Sequence, residues 1–225
     1  MGASLSKKQN HAITLLEILV IMAVAAVLAA VFFWHRQPEA QATARATRIQ
    51  CVNNLKQIGL AYRLWAGDHG EKYPMELFET NGGTIDFIAG PNAYRHFQVI
   101  SNQLSTPNFF FCPDESDRSR TVGTNINLLR NANISYFVGV DASQSNVQMI
   151  LSGDRNITNG TVVKNGMLAL TPASPGGWTS EMHNKVGNIL LADGSVQQLS
   201  LSGLQTAVEN TGLATNRLQM PALGP

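Results

Sequence analysis

Residues 13–34 read ITLLEILVIMAVAAVLAAVFFW, an apolar run in which Glu17 is the only charge. About 20 such residues cross a bilayer as a helix, so the stretch predicts a transmembrane helix over 13–35. The competing reading is a cleaved signal peptide ending at the Ala40-Gln41-Ala42 site. The apolar core of a signal peptide runs only about 7–15 residues, and this run is longer and carries an acid. An acid at mid-membrane costs on the order of 2.5–3.5 kcal/mol and is normally partnered. Glu17 lies near the start of the run, where that cost is smaller.

Residues 1–12, MGASLSKKQNHA, carry Lys7 and Lys8 and no acid. They read as a basic leader. Cutting between Ala12 and Ile13 would make Glu17 the fifth residue of the product, one helical turn from a new α-amino group. The amine of a neighbouring chain could then pair with its carboxylate. Arg36, Arg45 and Arg48 follow the span, so basic residues flank it on both sides and the positive-inside rule does not decide its topology.

Residues 36–66 are expected to continue as a helical stalk. Ile49, Val52, Leu55, Ile58, Tyr62 and Trp65 recur at spacings of three and four, which places them on one face. Arg48, Asn53, Lys56 and Arg63 fall off that stripe, and Gly67-Asp68-His69-Gly70 supplies a helix stop. A continuous helix over 13–66 would be roughly 80 Å long at 1.5 Å per residue.

Residues 67–225 are read as a globular head. Expected there are a helix over 92–104, a short strand at Phe109–Phe111, strands over 134–140 and 147–151, and a loop over 171–177. The clearest element is a hairpin over 188–199 turning on Asp193-Gly194, a preferred two-residue turn. A closing helix over 201–208 and a loose tail complete the reading. The fold class is therefore α+β, a long N-terminal helix packed against a small antiparallel sheet.

The 225 residues fit one domain with an appendage. Charged residues make up 14%, below the ~25% of a typical soluble domain, and the net charge is +1. No global field recruits nucleic acid. The basic cluster at Arg118–Arg120 is diluted by Asp114, Glu115 and Asp117, so no nucleic-acid partner is expected. Cys51 and Cys112 are the only cysteines. In an exported chain they can form a disulfide, or stay as a buried free pair. Neither belongs to a C-x-x-C pair, so a metal role for them is not expected.

A basic leader, a small residue, then hydrophobic-T-L-hydrophobic-E and an apolar run resembles the signal of type IV pilins and type II secretion pseudopilins. The segments RIQCVNNLKQIGLAYRLWAGDHGEKYP, FQVISNQLSTPNFFFCPDE and ILLADGSVQQL resemble those of pilin-like proteins with prepilin leaders, in the same order. The resemblance implies that a prepilin peptidase cuts after Ala12, that Ile13 becomes the N-methylated first residue, and that Glu17 serves assembly. The family normally has Gly and Phe where Ala12 and Ile13 stand. It also implies a Cys51–Cys112 disulfide, since each cysteine lies outside the membrane in a family-like segment. The location that the resemblance implies is the inner membrane, single-pass, with residues 67–225 as an exported head in the periplasm or in a filament. Expected partners are other pilin or pseudopilin subunits, the inner-membrane assembly platform and membrane lipid.

Candidate chemistry in the head is sparse. His183 lies near Trp178 and Glu181, and Asp154 and Asp193 fall at expected strand ends. A histidine with two acids can act as base and orienter, but G-x-S-x-G, H-E-x-x-H and a P-loop are absent. The chain is expected not to be an enzyme. Asp193 reads as a turn residue. Some major pseudopilins bind Ca²⁺, which makes Asp114 and Asp117 (with Glu115), Asp154 and Asp193 candidate oxygen ligands, although no EF-hand spacing is present. No cofactor is otherwise expected. The sequons at Asn133, Asn156 and Asn159 mark Asn-rich loops. The alternative to a structural subunit is a membrane-anchored periplasmic binding or enzymatic domain, which a polar pocket around His183 would favour.

Overall fold

The computed structural model describes residues 14–223, so the leader, Ala12 and Ile13 lie outside the described residues. Helix α1 spans Leu15–Gly67. It starts where Thr14 Oγ1 accepts a hydrogen bond from Glu17 N at 3.3 Å, occupying one of the amide donors that a helix start leaves free. The chain forms two compact units, one ending at Thr43 and the other beginning at Ala44.

The first unit contains the apolar segment Leu15–Trp34, with a mean hydropathy of 2.8. None of it is buried against protein, and its length and composition suffice to span a membrane. Glu17 lies in its first turn, exposed.

The second unit is built on a six-stranded sheet. Its strands are β1 (Tyr136–Gly139), β2 (Ile150–Asp154), β4 (Met167–Leu170), β6 (Gly187–Leu191), β7 (Val196–Leu199) and β8 (Asn216–Gln219). They run in the order β4-β8-β1-β2-β6-β7 with every pair antiparallel. A separate two-stranded ribbon joins β3 (Ile157–Thr158) to β5 (Gly177–Trp178). Helices α2 (Ala93–Gln98) and α3 (Leu201–Asn210) and several 3-10 turns complete the unit.

Strand side chains alternate between two cores, as the two-residue period of a strand requires. Tyr136, Val138, Leu151 and Leu190 pack with Cys51, Leu55, Ile58, Tyr62 and Trp65 of α1. Phe137, Ile150, Ile189, Leu191 and Leu218 pack with Leu204 and Val208 of α3. The central strands are thus covered on both faces, which is why they read as continuous apolar runs. Gly59 permits the α1 contact, because a Cβ there would lie 2.7 Å from Leu190 Cδ1.

Several expected elements are corrected. Phe109–Phe111 is not a strand: Pro107 and the Thr106 cap fold Pro107–Phe110 into a 3-10 turn. The helix expected over 92–104 is α2 followed by a 3-10 turn at Ser101–Gln103. The strand expected over 147–151 starts later, at Ile150. The Asp193-Gly194 turn is a three-residue loop, closed by Leu191 N to Ser195 O and by Gly194 N to Leu191 O. Gly194 has φ of 86°, the left-handed residue that such a loop requires. Ile49 leaves the buried stripe and is 56% exposed. The tail is not loose, since β8 lies between β4 and β1.

Candidate functional site

Cys51 of α1 and Cys112 form a disulfide, and both residues are fully buried. Asn54 Nδ2, one turn further along α1, donates to Phe111 O at 2.9 Å, so the Cys112 segment is fixed to the helix twice.

His183 stands beside this bridge. Its Nε2 lies 3.4 Å from Cys112 Sγ and 3.3 Å from Asp154 Oδ2. Asp114 Oδ2 approaches Nδ1 to 3.0 Å and accepts from His183 N at 2.6 Å. The His183 and Asp154 side chains are both wholly buried. Burial pushes Asp154 up to about 7, partly opposed by hydrogen bonds from Asn188 N and Nδ2. Burial likewise holds His183 below its usual range, against the pull of the Asp114 carboxylate. Both shifts favour the neutral forms of the buried pair.

The loop presenting His183 has unusual backbone. His183, Asn184 and Lys185 have φ of 52°, 50° and 63°, a left-handed run that non-glycine residues rarely adopt. Asn156 holds it in place: its Nδ2 donates to Thr179 O, Met182 O and Val186 O at 3.1, 2.8 and 3.1 Å. Arg155 adds a clamp, pairing bidentately with Glu115 and, at 2.7 Å, with Glu181. A cavity of about 440 Å³ opens here, lined by Arg45, Arg48, Asp114, Ser116, Glu181 and His183 among others.

The candidate acids separate by role. Asp117 is bound by Ser119 and Arg120, and Glu115 is engaged by Arg155. Asp193 caps its own turn by accepting from Ser195 N at 2.8 Å. Asp114 and Asp154 alone meet, on opposite nitrogens of His183. Among the described residues, the group with metal-ligand spacing is Cys51, Cys112 and His183, whose donor atoms lie within 4.8 Å of one another.

Sequence reading groups His183 with Asp154 and Asp193 as a possible base and orienter; the structure brings Asp154 and Asp114 to His183 and leaves Asp193 in its own turn. It places Arg48 only as a flanking, off-stripe residue, and it misses Arg155 and Asn188. Asn156 was noted only as a sequon, and its buried side chain is a loop clasp. No family model matches this chain, and neither does a curated protein or a solved structure.

Proposed function

We propose that this chain is a pilin-like structural subunit of a type IV pilus or a type II secretion pseudopilus, matured by a prepilin peptidase at Ala12–Ile13. The supporting observation is α1 itself. It joins an exposed apolar segment, bearing Glu17 as its only charge, to a helix built into the core of an α+β head. An unpartnered carboxylate is costly in lipid. In this reading another subunit's Ile13 amine neutralises Glu17, and the pair sets how far one helix slides along the next. Desolvation offsets much of the Coulombic gain, so register is the main benefit.

Glu17→Val tests this. The variant should still insert in the membrane and fold its head, while sheared or cross-linked polymer falls well below wild type. Polymer yield equal to wild type would overturn the pairing. The cavity beside His183 favours a second reading, an anchored periplasmic binding domain. In that case Glu17→Val would change neither polymer nor ligand binding.

A further inference from the structure

We propose that Cys51, Cys112 and His183 form a site for a thiophilic divalent ion, zinc being the type, when the disulfide is reduced, with the Asp154 carboxylate beside His183 moving in as the fourth, tetrahedral ligand. An ion bound at about 2.0–2.3 Å by sulfur, nitrogen and oxygen places neighbouring donors about 3.3–3.8 Å apart. His183 Nε2 already stands 3.4 Å from Cys112 Sγ and 3.3 Å from Asp154 Oδ2. The donor atoms of Cys51, Cys112 and His183 all lie within 4.8 Å of one another. Reduction lets the sulfurs part to that spacing, and the Asp154 carboxylate, which lies outside this group of three, closes on them as the ion binds.

The surroundings fit an ion as well. A metal-bound histidine is normally oriented by a carboxylate or carbonyl on its other ring nitrogen, and the Asp114 carboxylate lies 3.0 Å from Nδ1, where a change of angle alone would let it accept that proton. Asp154 is held by Asn188 N and Nδ2 at 2.7 and 2.8 Å, while its Oδ1 has no hydrogen-bond partner. Two thiolates, one carboxylate and a divalent ion leave one net negative charge. The Arg48 guanidinium acts electrostatically on both Asp154 and His183, and its buried Nε lacks a hydrogen-bond partner. Soft thiolates with imidazole select zinc-like ions over calcium.

Loading follows a balanced exchange. A dithiol reductant delivers two electrons and two protons to the Cys51–Cys112 bond and leaves as its own disulfide. The ion then displaces the two thiol protons to solvent. Disulfide and metal are thus alternative closures of one site, each joining α1 to the 112 segment. The site lies within one chain and forms whether or not the chain assembles into filaments.

The test uses the full chain in detergent micelles, reduced by a phosphine, freed of reductant under argon and titrated with Co²⁺. One ion should bind per chain, with a near-ultraviolet sulfur-to-cobalt band and the visible bands of tetrahedral cobalt. Zinc should remove both, and the oxidised chain should show neither. Asp114→Asn should weaken binding by roughly 10–100-fold, and His183→Gln should abolish the tetrahedral bands. A reduced wild type without the sulfur band, or His183→Gln with unchanged spectra, overturns the site. Far-UV circular dichroism covers the case in which reduction unfolds the head: refolding on cobalt addition supports the proposal, and its failure counts against it.

Discussion

His96 is fully buried, and its two ring nitrogens are in different states. Gln219 Nε2 donates to Phe87 O and Gly90 O at 2.9 and 2.7 Å, so it is Gln219 Oε1 that faces His96 Nε2 at 2.5 Å. The ring proton therefore sits on Nε2, and Nδ1 accepts from the Thr84 hydroxyl at 2.7 Å. Burial lowers the His96 pKa from 6.5 to about 4, with the Gln219 bond opposing part of the shift. Between those values the unfolded chain binds the extra proton. Stability from this group is complete above pH 6.5 and is lost as pH falls toward 4. The loss is about 3 kcal/mol. His96→Gln should remain folded at neutral pH and flatten this acid limb. Urea titrations of both proteins at neutral and acid pH check it; an equally steep acid loss in the variant would assign the effect elsewhere.

At the scale of elements, β8 carries more than its sequence advertises. Leu218 is 1% exposed and pairs with Leu168 on one side and Gly139 on the other. Leu218→Ala should cost about 2–5 kcal/mol, read from the denaturant midpoint. Truncation after Thr211 should uncover the edges of β4 and β1 and give an aggregating, protease-sensitive head. A truncated chain with wild-type resistance would show that β8 is dispensable. Legibility followed locality. The apolar run, the stripe of Leu55, Ile58 and Tyr62, the 188–199 hairpin and α3 are written in local periodicity and turn residues. Asn216-Arg217-Leu218-Gln219 has no β-branched residue, and it is a strand because two distant strands pair with it. Phe109–Phe111 misled in the opposite direction, its apolar content outweighed by Pro107 and the Thr106 cap. The His183 site was legible only in its members: its groups come from α1, the 112–114 segment, the end of β2 and the 180s loop, and no linear motif links them.

For the whole molecule, the Cys51–Cys112 bridge ties the helix that carries the apolar segment to the head, closing a loop with a sequence separation of 61. A loop of that length contributes about 4 kcal/mol in the chain-entropy model. Replacing both cysteines by serine should lower stability by roughly 2–5 kcal/mol, measured as a drop in the urea midpoint of detergent-solubilised protein. An unchanged midpoint would show that packing and the Asn54 bond already fix the segment. The same bridge also decides how the chain behaves under tension. A pull between the N-terminal helix and any point beyond Cys112 travels through the sulfur bond and leaves the enclosed loop unloaded. Without the bond, those residues, with a sequence separation of 61, can pay out on the order of 200 Å of slack at about 3.3–3.6 Å each. With it, that slack is locked away, and only the chain beyond Cys112, held by its own strand pairing, can lengthen under load.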